Sequence, residues 1–190
     1  HQGNEGAVVI VGTGFSAMSL VNGEKTSVGG YGFLTADHCS GSWIGHQAVE
    51  AALLDSDNLA QNTLLTAMLA EKFNGRGCQL ANALVGATPK EYGSIAPLVF
   101  RAAEKQDLVA KQIINQSTQF ISRVIYLLAK TKPARISLVG GIAQQLETSF
   151  SDDILNLLSQ PLQLPEQGAI HFAQAQYQMV NEASNNHYSL

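Results

Sequence analysis

The sequence predicts an α/β fold: a five-stranded mixed sheet with helices on both faces and a helical insertion between strands three and four. Three observations lead there. Short β-branched or alternating runs, each ended by glycine, fill the first 30 residues. From Ser40 to Pro133 the apolar residues recur with a period near 3.6. Two further strand-like runs, at 135–139 and 162–164, then alternate with helical ones.

Val8-Val9-Ile10-Val11 is a β-branched run ending at Gly12-Thr13-Gly14, the pattern of a fully buried strand entering a tight turn. Residues 15–21 and 25–28 flank Asn22-Gly23, which marks a two-residue hairpin because a type I′ turn needs φ > 0 at both central positions. The first three strands therefore read as an antiparallel meander. After Gly29-Gly30-Tyr31-Gly32 a helix opens with Ser40 or Ser42 as its cap and Trp43, Ile44, Val49, Ala52 and Leu53 as its apolar stripe. Leu64, Leu65, Met68, Leu69 and Phe73 form a second helix, stopped by Asn74-Gly75. Thr88-Pro89-Lys90-Glu91 supplies a cap, an N1 proline and a capping-box glutamate for another. Asp107 opens the longest helix, 107–132, which Pro133 terminates.

Arg135 to Val139 is the fourth strand, running into Gly140-Gly141 and a helix from Ile142 to about Phe150. Residues 152–158 read as helical, Leu162-Gln163-Leu164 as a fifth, edge strand, and 168–180 as the last helix. No repeat or low-complexity linker divides the chain, so residues 1–180 form one domain and 181–190 a polar tail. The order β-β-β, helices, β-α-β-α is that of a ribonuclease-H-like fold. In open sheets of this kind, ligands sit where glycine-rich turns leave the strand ends.

Composition narrows the function. The 190 residues are 45% hydrophobic and 14% charged, which excludes disorder, collagen and coiled coil. A net charge of −4 is the wrong sign for a protein that lives on nucleic acid or anionic lipid. Cys39 and Cys78 form no CxxC and no His/Cys cluster, arguing against a disulfide framework or a zinc site and for a reduced, cytoplasmic protein. Ala7 to Val11 is too short for a membrane span or a signal segment. The opening at His1, without Met and directly upstream of a strand, suggests a fragment of something longer.

Gly12-Thr13-Gly14 joins two strands, and such a turn can aim successive amides at a phosphate; a hairpin that needs glycine for φ > 0 explains the same residues. Gly140-Gly141, between a strand and a helix N-terminus, allows close approach by a base or phosphate, or simple strand-to-helix packing. The segment Gly29 to Gly41 is the most unusual, with glycines bracketing the single acidic residue Asp37. Asp37 suits substrate hydroxyls or a water-mediated Mg²⁺, or alternatively a plain helix cap or Asx turn. Thr35-Ala36-Asp37-His38-Cys39 matches the surroundings of the catalytic histidine in trypsin-like proteases. It is a decoy, because no Gly-Asp-Ser-Gly-Gly follows and the next hundred residues read as helical.

Taken together, Val9 to Ser16, Gly29 to Gly32, Asp37 to Gly45 and Leu138 to Ala143 closely resemble the BadF/BadG/BcrA/BcrD ATPase family. Pro89 to Gly93, Ala96 to Phe100 and Gly168-Ala169-Ile170 look most like its bacterial glucosamine kinase branch, and the resemblance spans roughly residues 3 to 175. It implies an actin/hexokinase-like ATPase, whose two ribonuclease-H-like lobes hold ATP and sugar between them, with this chain as the C-terminal lobe. The activity implied is phosphorylation of glucosamine or N-acetylglucosamine at the 6-hydroxyl, with ATP and Mg²⁺. Gly12, Thr13 and Gly14 would form the second phosphate loop, Gly140 and Gly141 the adenosine loop, and Gly29, Gly30 and Asp37 the sugar side. The general-base aspartate and first phosphate loop would lie in an N-terminal lobe, the expected partner besides the amino sugar. An exposed glycine face would also permit a homodimer.

Where the family has Gly-Asp-Glu-Gly-Ser-Gly this chain has Ala36-Asp37-His38-Cys39-Ser40-Gly41, and Phe15 replaces a residue that is commonly serine. A cysteine at the glycine position would be strained if φ > 0 is required there. That departure motivates the alternative of a non-catalytic sugar- or nucleotide-sensing module of the same fold.

Overall fold

The structure, a computed structural model, describes residues 5–33, 35–163, 166–174 and 177–178. Strand β1 (Gly6–Val11) turns through residues 12–14 into β2 (Phe15–Val21), and Asn22-Gly23 reverses the chain into β3 (Glu24–Gly29). Asn22 and Gly23 have φ of 51° and 77°, as the hairpin requires. Val11 pairs with Phe15, and Ser16 with Gly29. Strand β4 (Ile136–Val139) pairs parallel with β1, from Ala7–Ile136 to Ile10–Val139, giving the order β3-β2-β1-β4.

The sheet thus has four strands, not the expected five. Leu158 makes one isolated parallel bridge to Ile136, and the Ser159 N–H donates to the Ile136 carbonyl at 2.7 Å. The chain passes the fifth-strand position there, ahead of Leu162, and Pro161 offers no N–H to extend a ladder. Leu164 lies outside the described residues.

Between β3 and β4 come α1 (Gly41–Ser56), α2 (Leu64–Lys72), α3 (Cys78–Ala83), α4 (Pro89–Gly93), α5 (Ala96–Glu104) and α6 (Leu108–Ala129). After β4 follow α7 (Gly141–Leu146), a 3₁₀ turn (Glu147–Ser149) and α8 (Asp152–Leu155). The expected cap and capping-box residues are in place: Ser40 accepts from the Trp43 N–H, and Thr88 and Glu91 bond reciprocally. Helices α3 and α5 have no counterpart in the sequence reading, and the helix expected over 152–158 is a single turn. Residues 166–174 are helical and wholly exposed, while the tail, 181–190, lies outside the described residues.

Burial alternates along the first two strands. Ala7, Val9, Val11, Phe15, Ala17 and Ser19 face the core, whereas Ile10, Met18 and Leu20 are 45%, 37% and 40% exposed. This corrects one expectation, a β1 buried on both sides. A helical cover lies on the face of Val9 and Phe15. Helix α6 supplies much of it, with Ile121, Ile125 and Leu128 fully buried and the Phe120 ring edge-on to Phe15 at 5.3 Å.

Asp107 holds two helix starts. One carboxylate oxygen accepts the Ala110 N–H at 2.9 Å, capping α6, and the other accepts the Leu65 N–H at 2.8 Å in the first turn of α2. Burial pushes the Asp107 pKa up, but the N–H donors of Ala110 and Leu65 and the Thr63 hydroxyl outweigh it and hold the carboxyl below its ordinary value. Its stabilisation is therefore present above the unfolded pKa of about 4 and lost as pH falls through the lower folded value. Asp107→Ala should cost about 2 kcal/mol in urea unfolding at neutral pH. The gap from wild type should narrow as the same titration is moved into acid.

Candidate functional site

Because β1 and β4 are parallel and β2 starts where β1 ends, residues 12–14, 140–141 and the segment after Gly29 all leave the sheet at one end. Helix α1 begins at that end and shapes the first turn. Its Gly41 and Ser42 N–H groups donate to the carbonyls of Gly12 and Thr13 at 2.8 and 3.2 Å, and the Ser42 hydroxyl donates to the Thr13 carbonyl at 2.7 Å.

With those carbonyls turned to α1, the turn's amides are left over. The Gly12 N–H donates to the Gly14 carbonyl at 3.0 Å, but the N–H groups of Thr13 and Gly14 meet no protein acceptor among the described residues. Both residues are exposed. Gly12 and Gly14 do not have φ > 0, so the hairpin explanation for these glycines fails. A Cβ on Gly12 would touch nothing within 4 Å. The polypeptide itself has no use for glycine there, and the bare backbone leaves room in front of it.

Gly140 is a different case. It has φ of 114°, and a Cβ would collide with the carbonyl oxygen of Val11, so glycine lets the end of β4 close onto β1. Gly141 opens α7 with nothing within 4 Å of a Cβ. Gly12, Thr13, Gly41, Gly93, Gly141 and Ile142 line one cavity of about 310 Å³. A neighbouring cavity of about 540 Å³ runs along Leu138, Val139, Gly140, Gln144, Glu147 and Leu158. Gly12, Thr13 and Gly141 are thereby brought together, with Gly140 on the adjoining cavity. Gly93, noted in the sequence only within the Pro89–Gly93 motif and given no site role, ends α4 at the first of these cavities; Gln144 and Glu147 belong to no motif and escaped the sequence reading.

Asp37 is 7% exposed. One of its carboxylate oxygens stands 3.1 Å from where a Gly14 Cβ would be, and the other has no hydrogen-bond partner among the described residues. It is not a helix cap, since Ser40 fills that position. Gly29 and Gly30 have φ of 77° and 81°. A Cβ on Gly29 would meet the Phe15 ring at 2.6 Å, and the Gly30 N–H donates to the Phe15 carbonyl at 3.1 Å. They lie at the same sheet end but line neither cavity.

Cys39 is fully buried and not in the φ > 0 region, so the expected strain is not present. Burial, and secondarily the charge of Asp37, push its thiol far above the ordinary range, leaving it inert. His38 is exposed against Trp43 and Phe120, and the protease-like pentapeptide lies in no β-barrel. The described residues contain no group of three or more His, Cys, Asp or Glu able to hold a metal by themselves. No described helix is long and apolar enough to cross a membrane.

A mixed α/β sheet with these turns at one end has the architecture of the actin/hexokinase-like ATPases. The chain belongs to the BadF/BadG/BcrA/BcrD ATPase family, whose model matches residues 1–173. It is 29% identical over 173 residues to the glucosamine kinase GspK of Vibrio cholerae, covering 91% of this chain and 59% of that protein. It is also 29% identical over 157 residues to the N-acetylmuramic acid/N-acetylglucosamine kinase of Clostridium acetobutylicum, covering 78% and 51%. A solved structure from Chromobacterium violaceum, assigned as an N-acetylglucosamine kinase, superposes with a TM-score of 0.84 at 26% identity, covering 89% of this chain and 59% of that one. The chain thus spans a little over half the length of these relatives.

The two kinds of glycine separate experimentally. Gly12→Ala should melt within about 0.5 kcal/mol of wild type. Gly140→Ala, with a strained φ and a backbone collision, should lose more than about 3 kcal/mol by thermal or urea denaturation.

Proposed function

We propose that this chain is the C-terminal lobe of an ATP-dependent amino-sugar kinase, transferring the γ-phosphoryl of ATP to the 6-hydroxyl of glucosamine or N-acetylglucosamine. The observation that carries it is the cavity lined by Gly12, Thr13 and Gly141, at a turn whose Thr13 and Gly14 amides are unspent. Amides fixed by α1 bind phosphate oxygens without reorganising, which is what phosphoryl transfer asks of a protein. The 540 Å³ cavity beside Gly140 is of a size to take the nucleoside. Asp37, buried with one oxygen unpartnered, is placed to accept from a sugar hydroxyl, with Gly29 and Gly30 on the same side.

Mg²⁺ prefers nucleotide phosphates with one or two carboxylates, and Asp37 is the carboxylate beside the phosphate turn. Bound there, the ion would neutralise charge on the transferring group. The general base belongs to the N-terminal lobe of the same kinase. The names of both curated relatives support an amino-sugar acceptor, and that of the Vibrio protein supports glucosamine first. The absence of strain at Cys39 removes one reason to prefer a non-catalytic sensor. A cytoplasmic setting follows from the use of ATP.

The test is ADP release, coupled to a dehydrogenase, by protein that includes the N-terminal lobe, across a panel of hexoses and amino sugars. Turnover stimulated by an amino sugar is expected, and none with any sugar would sink the proposal. Asp37→Asn should fold as wild type yet raise the KM for sugar about tenfold or more, the scale of one buried hydrogen bond to a charged group. A KM and kcat within about twofold of wild type would remove Asp37 from the site.

A further inference from the structure

Around the corner from the glycine turns, three aromatic rings from different parts of the chain border one surface cavity of about 300 Å³. His38 follows Asp37, Trp43 lies in the first turn of α1 and Phe120 in the middle of α6. The His38 ring stands 6.4 Å from Trp43 and 5.8 Å from Phe120, centroid to centroid, bridging the two. The remaining lining is Gln116, Gln119 and Arg123 of α6. With Phe120 these fall on one stripe of the helix, since residues three, four and seven apart share a face.

None of the polar groups is needed by the fold. Arg123 is exposed, its guanidinium carbon 5.6 Å from the Phe120 centroid, and the ion pair found among the described residues is Arg76–Asp55 instead. Gln116 and Arg123 make no side-chain hydrogen bond among the described residues, and the Gln119 amide reaches its own helix at Asn115. An aromatic wall beside planar amide and guanidinium donors suits a sugar ring, whose C–H face packs on the rings while its oxygens take the donors. A guanidinium with no carboxylate partner adds a preference for an anion.

We propose that this cavity binds a pyranose carrying an anionic group, its ring against Trp43 and Phe120 and its carboxylate or phosphate on Arg123. The site is separate from the cavity at Gly12 and Gly141 and needs no nucleotide, so it stands whether or not the kinase reading does.

Trp43 is the single tryptophan of the 190 residues, so intrinsic fluorescence of the chain reads this pocket directly. The probes share one ring: N-acetylglucosamine as the neutral sugar, N-acetylmuramic acid as the carboxylate and N-acetylglucosamine 6-phosphate as the phosphate. At least one anionic sugar should change Trp43 emission saturably and bind about tenfold more tightly than the neutral one, the scale of one charge-assisted hydrogen bond. Which of the two does so identifies the anion. Arg123→Gln should abolish that preference while leaving circular dichroism and melting unchanged, the side chain being exposed. No saturable change with any sugar, equal binding of all three, or a preference that survives Arg123→Gln would overturn the proposal. A parallel calorimetric titration with ADP keeps the outcomes distinct, since the nucleotide site can fail or succeed without moving the Trp43 result.

Discussion

The site depends on two hydrogen bonds from the start of α1 to the turn between β1 and β2. An isolated Gly-Thr-Gly turn has many conformations, and its amides point nowhere in particular. Here the Gly41 and Ser42 N–H groups hold the carbonyls of Gly12 and Thr13, and Ser42 holds the second of these again through its hydroxyl. Carbonyl and amide on either side of a peptide plane point in opposite directions, so fixing one set aims the other. The same bonds satisfy helix donors that α1 would otherwise leave unmet. The first turn of α1 thereby becomes part of the site without touching a ligand.

Much of this was legible in sequence because it is local. The Asn22-Gly23 hairpin, the Ser40 cap, the Thr88–Glu91 capping box and the Asp107-capped α6 each depend on residues a few positions apart, and each is in place. What failed was non-local. Four β-branched residues in a row at Val8–Val11 conceal the fact that β1 is fully buried on one side only, and composition cannot say where its cover goes. Leu162-Gln163-Leu164 alternates as a strand should, yet the chain has already met β4 at Leu158 and Pro161 intervenes. At the site, Gly12, Thr13 and Gly141 were visible because glycine spacing is a signal. Gln144 and Glu147 reach their cavity by tertiary packing and leave no local trace.

The first strand pair is packed on one side only, and its other side is partly open. Ile10, Met18 and Leu20 lie on one side of a strand pair whose other side is fully packed, and the glycine turns sit at the end of the same strands. The buried Asp37 carries a cost of its own. An unpartnered carboxylate oxygen costs stability, roughly 1–3 kcal/mol for a polar group left without its hydrogen bond, and nothing in the surrounding backbone recovers that cost.

Gly12 and Gly140 differ in what the fold asks of a glycine. At Gly140 the reason is inside the molecule: φ of 114° and the Val11 carbonyl where a side chain would begin. Packing accounts for it fully, and no ligand need be invoked. At Gly12 neither reason exists, because the backbone conformation is open to any residue and the space before it is empty. A glycine there still weakens the chain through the entropy of its unfolded state. On the proposed kinase reading the compensation lies outside the fold, in a phosphate approaching the backbone at that point, where the Thr13 and Gly14 amides are unspent.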